Sequence, residues 1–224
     1  MHVNVVIFGA SGMVGQGVLR ECVLDDRVES VLVVGRAPLG RSHPKVREVI
    51  HQDFTDFSAI EDEFTGLDAC FFCLGVSSGG RSQEEYLRIT HDYTLAAATP
   101  LAAHNPSLTF TYVSGEGTDS TERGRSAWAR VKGRTENELL ALDFHAYMFR
   151  PAWIQPRNGE KSRTRWYRLA YSLTSWLYPV LRRLAPGHTT TTEHLGRAML
   201  AVVALQGAGE HVLYSKDINR LGGA

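Results

Sequence analysis

A chain of 224 residues fits one large α/β domain, and its 43% hydrophobic and 21% charged content is that of an ordinary globular protein. Its 24 basic and 24 acidic residues cancel, so nothing points to nucleic acid or an anionic membrane surface as partner. Three cysteines in apolar surroundings suit a reducing cytoplasm, and no basic, apolar and cleavage-site regions precede the first apolar run to direct secretion.

The pattern predicts a strand over Val3–Phe8, then the turn Gly9-Ala10-Ser11-Gly12-Met13-Val14-Gly15, then a helix over Met13–Leu24. Each glycine has a task. Gly9 allows a sharp turn off the strand, Gly12 lets backbone approach a pyrophosphate, and Gly15 lets helix and sheet pack closely. Bare N–H groups at the helix start, around Ser11, Met13 and Val14, would hold the pyrophosphate. The strand before and the helix after are the context such a glycine triplet requires.

A second strand, Ser30–Val34, runs into Gly35-Arg36. About twenty residues past the glycine turn, an NAD site places a carboxylate on the ribose. Here Arg36 stands there, with Arg41 nearby, and a guanidinium suits a 2′-phosphate; this predicts NADP(H) ahead of NAD(H). Stacking of Arg36 on adenine is the other reading. After a third strand, Val46–His51, Asp53 and Phe54 sit where such folds contact adenine. A fourth, Ala69–Leu74, ends at Leu74-Gly75, where backbone meets the cofactor. Cys70 and Cys73, three apart in that strand, point to opposite faces, which reads as packing rather than metal or redox work. No histidine pair has metal spacing, so no metal is expected. The loop Gly75–Arg81 lies on the ligand edge of the sheet.

Further along come a helix over Glu84–His104, a strand Leu108–Ser114, a helix Gly124–Leu142 and a strand Ala146–Arg150. Alternating strands and helices predict an α/β doubly wound parallel sheet, the Rossmann fold. Past Pro151 the alternation weakens. Residues 1–224 read as a single dinucleotide-binding domain in which 151–224 form a small C-terminal substrate-side cap. Trp166–Leu184 reads as a buried or lid helix, too interrupted by charge and proline for a membrane span; peripheral contact stays open. The run Thr189–Thr192 reads as a loop capping a helix over Thr192–Leu205, and a short last strand falls near His211–Tyr214.

The order of these motifs resembles the short-chain dehydrogenase/reductase superfamily across most of the chain. The glycine spacing at 9–15, Gly35-Arg36, Asp53, Leu74-Gly75, Tyr112-Val113-Ser114 and Lys132 carry the resemblance. So does Arg150-Pro151-Ala152-Trp153-Ile154, which is similar to the segment beside the nicotinamide and implies Pro151 and Ile154 as cofactor contacts. Within the superfamily the chain is most like the atypical group, which includes Tat-interacting-protein-like oxidoreductases and bacterial epimerase-like proteins.

The resemblance implies an active site of Ser, Tyr-x-x-x-Lys and a helix Asn. Ser114 and Lys132 match. Trp128 takes the tyrosine's place, and Asp92 falls near the Asn. An indole N–H donates a hydrogen bond but is no acid or base near neutral pH. Trp128 either stacks on a planar substrate or packs in the core. Tyr86, Tyr93, Tyr167 and Tyr171 are the tyrosines that could replace the missing one. The expected function is therefore NADP(H)-dependent oxidoreduction of a small carbonyl or quinone-like molecule through a degenerate site. Non-catalytic NADP(H) sensing is the alternative, and sugar-nucleotide epimerisation the third. Monomer and homodimer both remain open.

Overall fold

The computed structural model describes residues 2–160 and 186–223. Seven strands form one fully parallel sheet: β1 (Val3–Phe8), β2 (Val28–Gly35), β3 (Val46–Ile50), β4 (Ala69–Phe72), β5 (Thr109–Val113), β6 (His145–Arg150) and β9 (Val212–Tyr214). Their spatial order is β3-β2-β1-β4-β5-β6-β9. The order reverses between β1 and β4, and such a switch point is where open parallel sheets bind ligands, at the carboxyl ends of the strands.

Side chains on β1 alternate between two cores. Val5 and Ile7 pack on one face with α1 (Met13–Leu24) and α5 (Thr192–Val203). Val6 and Phe8 pack on the other with α3 (Tyr93–His104) and α4 (Ala127–Leu140). All four are fully buried, which explains why β1 reads as an unbroken apolar run. Cys70 lies in the second core and Cys73 packs against the first. Burial pushes both thiols up, Cys73 to about 12, so neither is a ready thiolate.

Four expectations change. The helix expected over Glu84–His104 is interrupted: α2 (Gln83–Leu87) passes into a π turn, Arg88–Asp92, before α3. Buried His91 explains the extra residue. Its Nδ1 lies 2.7 Å from Asp92 and its Nε2 lies 3.0 Å from Glu138 of α4, a partner that a regular helix would not present it to. Helix α4 begins at Ala127 rather than Gly124. The threonine run is a strand, β8 (Thr189–Thr191), paired in parallel with β7 (Trp153–Gln155). Its last residue still caps α5, because the Thr191 hydroxyl accepts from His194 N at 3.0 Å. A final helix, α6 (Ser215–Gly222), had no counterpart in the pattern.

Within 151–224, residues 192–222 build the main layer. Leu195, Met199, Leu213 and Ile218 belong to the first core. Gly17 of α1 and Gly196 of α5 let the two helices touch: a Cβ on Gly17 would stand 2.6 Å from Thr192 Cβ. Glu21, buried on α1, accepts from Arg197 at 3.0 Å across that seam. Among the described residues of 151–224, β7 and β8 are the elements that stand apart from this layer. The expected helix Trp166–Leu184, with Tyr167 and Tyr171, lies outside the described residues.

Candidate functional site

At the carboxyl ends of β1 and β4 a cavity of about 820 Å³ opens. Gly9, Ser11, Gly12, Met13 and Val14 form its floor, and Arg36, Phe54, Leu74, Gly75 and Ile154 stand around it. Sequence reasoning named all ten. Gly9 has φ +81, and a Cβ there would meet Leu74 N at 2.6 Å, so only glycine fits between the two strand ends. A Cβ on Gly15 would meet Gly9 O at 2.2 Å; Gly15 does not line the cavity but seats α1 against the turn.

The start of α1 is built for an anion. Its N-cap, Gly12, offers no side-chain cap, and the first turn carries no acidic residue. The helix dipole and its unpaired N–H groups therefore face the cavity unneutralised. Arg36 adds a positive edge, its guanidinium 5.9 Å from the Phe54 ring centroid. The residues present fit a dinucleotide: bare amides for a diphosphate, an arginine beside an aromatic ring for an adenosine.

On the opposite wall, Tyr93 and the loop ending at Arg81 were expected near the ligand, whereas Glu85, Arg88 and Ile89 were not. Arg81 stands before α2, and Glu85, Arg88, Ile89 and Tyr93 come from α2, the π turn and α3. Arg81 is paired with Glu85; Arg88 is exposed and adds a further positive group. The register of Arg88, Ile89 and Tyr93 depends on the π turn, and helical spacing alone does not reveal it.

Other expected residues fall elsewhere. Gly35 ends β2 outside the cavity lining, as do Asp53 and Pro151. The Asp53 carboxylate accepts from Thr55 N at 2.9 Å and Thr55 Oγ1 at 2.5 Å, which holds it below the usual carboxylate range. Pro151 is buried, and its carbonyl accepts from Glu116 N. Arg41 lines a separate hollow with Leu19, Val23 and Val46, away from Arg36. Asp92 is exposed and paired with His91, so it does not occupy the position of the expected helix Asn's side chain in the cleft.

Ser114, Trp128 and Lys132 gather where β5 meets α4. Ser114 lies one residue past β5, and its hydroxyl donates to Phe149 O at 3.2 Å. Trp128 and Lys132, four apart on α4, share a helix face. The Lys132 ammonium donates to the Val113 carbonyl at 3.3 Å and to that of Ser114, and lies 5.8 Å over the Tyr112 ring. Desolvation pushes it down to about 8, against the opposing pull of Glu136. Trp128 lies with its ring edge against Gly117, where a Cβ would come within 3.2 Å of it. Helix α4 reaches this place because Gly133 lets it ride over the Asp119 carbonyl, 1.8 Å from any Cβ there.

A parallel sheet of this order, a capless glycine turn at its switch point and a Ser–Lys pair at the next strand end define a class. The class is a Rossmann-like α/β fold, a seven-stranded parallel sheet flanked by helices. It is similar to Protein HTATIP2 of Rattus norvegicus, 28% identical over 227 residues, 98% of this chain and 89% of that one. It is also similar to the mitochondrial protein FMP52 of Candida glabrata, 27% identical over 156 residues, 66% of this chain and 62% of that one. No family model matches. Among solved structures, MoeE5 in complex with UDP-glucose and NAD aligns with TM-score 0.70 at 17% identity, over 94% of this chain and 75% of that one. The Bordetella bronchiseptica enzyme WbmF in complex with NAD+ and UDP aligns with TM-score 0.70 at 17% identity, over 99% and 78%. Among the described residues, no helix is long and apolar enough to cross a membrane.

Proposed function

We propose that the chain binds NADP(H) in this cleft and transfers hydride to or from a small carbonyl or quinone-like compound. The observation that carries the reading is the uncapped, acid-free start of α1 opening into the same cavity as Arg36. The diphosphate would lie on the amides of Ser11, Met13 and Val14, the Gly12 N–H being taken by Gly9 O at 2.9 Å, the 2′-phosphate on Arg36, adenine by Phe54, and the backbone of Leu74 and Gly75 along the cofactor. Asp53, Gly35 and Pro151 would shape the walls from behind. The coenzyme, when bound, supplies the hydride. Lys132 holds the nicotinamide ribose, Ser114 turns from Phe149 O to the substrate oxygen, and Ile154 packs at the nicotinamide end. Of the C-terminal part 151–224, the paired strands Trp153–Gln155 and Thr189–Thr191 would contribute to the substrate side.

Trp128 has no titrating proton, so the proton comes from solvent or from a tyrosine outside the motif. Tyr86 is buried, and burial raises its phenol above the usual range, which keeps it a donor. Restoring the phenol tests this. Trp128→Tyr is expected to raise NADPH-dependent reduction of an aldehyde panel by about a hundredfold, the ordinary worth of a placed general acid. An equal rate in both proteins, above background, would show that Trp128 stands outside the chemistry.

A second reading, coenzyme sensing without turnover, is favoured by one observation: the Ser114 hydroxyl is engaged by Phe149 O and Trp128 donates no proton. Absence of turnover in both proteins, with coenzyme bound, would select it. Epimerisation of a sugar nucleotide ranks third, because Trp128 stands where the motif tyrosine is expected.

Lys132 gives the reading a pH signature. Its ammonium is present below about pH 8 and is lost above it. Its attraction for an anionic coenzyme should therefore fall as pH rises through that value. NADPH affinity of the wild type should decline between neutral pH and mildly alkaline pH, and that of Lys132→Met should be flatter. Parallel profiles would remove Lys132 from the coenzyme site. The three free thiols support a reducing compartment, the cytoplasm in our reading. Fractionation would separate this from the mitochondrial location in the printed name of FMP52.

A further inference from the structure

Next to the dinucleotide cleft lies a second hollow of about 280 Å³, between α2 and the start of α4. Tyr86, Leu87, Trp128 and Val131 give it apolar walls, and Arg81 and Arg130 stand at its rim with Glu84. Arg81 lines both spaces, so the hollow abuts the cleft. Arg130 is fixed there by a bond from Nη1 to Gly124 O at 2.7 Å, which leaves its other N–H donors available. Trp128, half-buried, makes no hydrogen bond within the described residues, although an enclosed indole N–H ordinarily finds a partner. The volume suits one ring and is small for a nucleotide sugar.

We propose that this hollow binds a single planar aromatic ring bearing a carbonyl or carboxylate, with the ring against Trp128 and its oxygen at Arg130. The proposal rests on the oxidoreductase reading and names its substrate class. Two aromatic walls recognise a flat π face. Arg81 is paired with Glu85, so Arg130, with N–H donors left over from Gly124 O, is the group that receives the oxygen of the ligand. The tryptophan then has a purpose that tyrosine would not serve as well: it supplies a larger stacking surface at the mouth of the coenzyme site.

The test is titration of the nitrogen-15-labelled protein with 4-acetylbenzoate, read on the indole N–H signal of Trp128, which is assigned by its loss in Trp128→Phe. A saturable shift is expected. Val131→Trp, which fills the hollow without touching the cleft lining, should weaken binding by about tenfold or more. Arg130→Ala, on the rim, should weaken it too and leave the shift of the indole intact. NADPH is titrated into the same samples and should bind wild type and Val131→Trp equally, which also certifies the fold. No shift at millimolar ligand would overturn the proposal. So would wild-type affinity retained in both variants, or equal binding of cyclohexanecarboxylate. NADPH binding without 4-acetylbenzoate binding would defeat this proposal alone; the reverse would defeat the coenzyme reading and leave the ring site standing.

Discussion

Arg36→Asp should reverse the coenzyme preference of this chain. The guanidinium is exposed at the cavity edge over Phe54 and is free of any carboxylate partner among the described residues. Hydrogen bonds to a charged group contribute about 1.5–3 kcal/mol, and a carboxylate in the same place adds repulsion, so NADPH affinity should fall by about a hundredfold or more. NADH should gain, because the new carboxylate meets two ribose hydroxyls instead of a phosphate. The change is on the surface, so thermal stability should stay nearly constant. Isothermal titration of both proteins with both coenzymes checks this. Unchanged NADPH affinity in the variant would mean that Arg36 merely stacks on its aromatic neighbour.

The second large effect falls on the buried pair that anchors α4. Arg150, at the end of β6, is 7% exposed and Glu136 of α4 is 1% exposed. The guanidinium donates through Nε to both carboxylate oxygens at 3.1 Å, through Nη1 to Tyr214 OH at 3.2 Å, and through Nη2 to Ser120. One side chain thus ties β6, α4, β9 and the loop before α4. Arg150→Met leaves a buried carboxylate without its hydrogen-bonded counter-charge, with only the Lys132 ammonium still acting on it, and removal of one partner of such a pair costs about 3–5 kcal/mol. Arg150→Met with Glu136→Leu should recover most of that, because the paired charges mainly repay their own desolvation. Urea unfolding measures both. A loss under about 1 kcal/mol in the single variant would contradict the burial argument. The resemblance draws Arg150-Pro151 toward the nicotinamide, yet Arg150 is fully occupied in holding α4, and with it Trp128 and Lys132, in place.

The glycine-turn half of the candidate site was legible because its rules are local. Strand Val3–Phe8, the turn and helix Met13–Leu24 agree with the structure residue for residue, since apolar run, glycine turn and amphipathic helix each act over a few positions. What escaped depends on distant partners. The π turn exists because His91 settles against Glu138, and no periodicity within 84–104 announces a residue on another helix. It sets the register that carries Arg88, Ile89 and Tyr93 into the cavity wall. Strand Thr189–Thr191 forms only because Trp153–Gln155 lies beside it; its three β-branched residues were the available signal, outweighed by the cap that Thr191 also provides. Helix Ser215–Gly222 had a signal in Asp217, whose carboxylate accepts from Tyr214 N at 3.2 Å. The Ser114 hydroxyl direction, toward Phe149 O, follows from a strand pairing that motif spacing does not encode.

The central claim is that the bare start of α1 and Arg36 together hold a phosphorylated dinucleotide. Calorimetric titration of the wild-type chain with NADPH and NADH tests it most directly. The account predicts saturable heat with NADPH at micromolar ligand and at least tenfold weaker binding of NADH, about 1.4 kcal/mol or more. No heat with either coenzyme at millimolar concentration would contradict it.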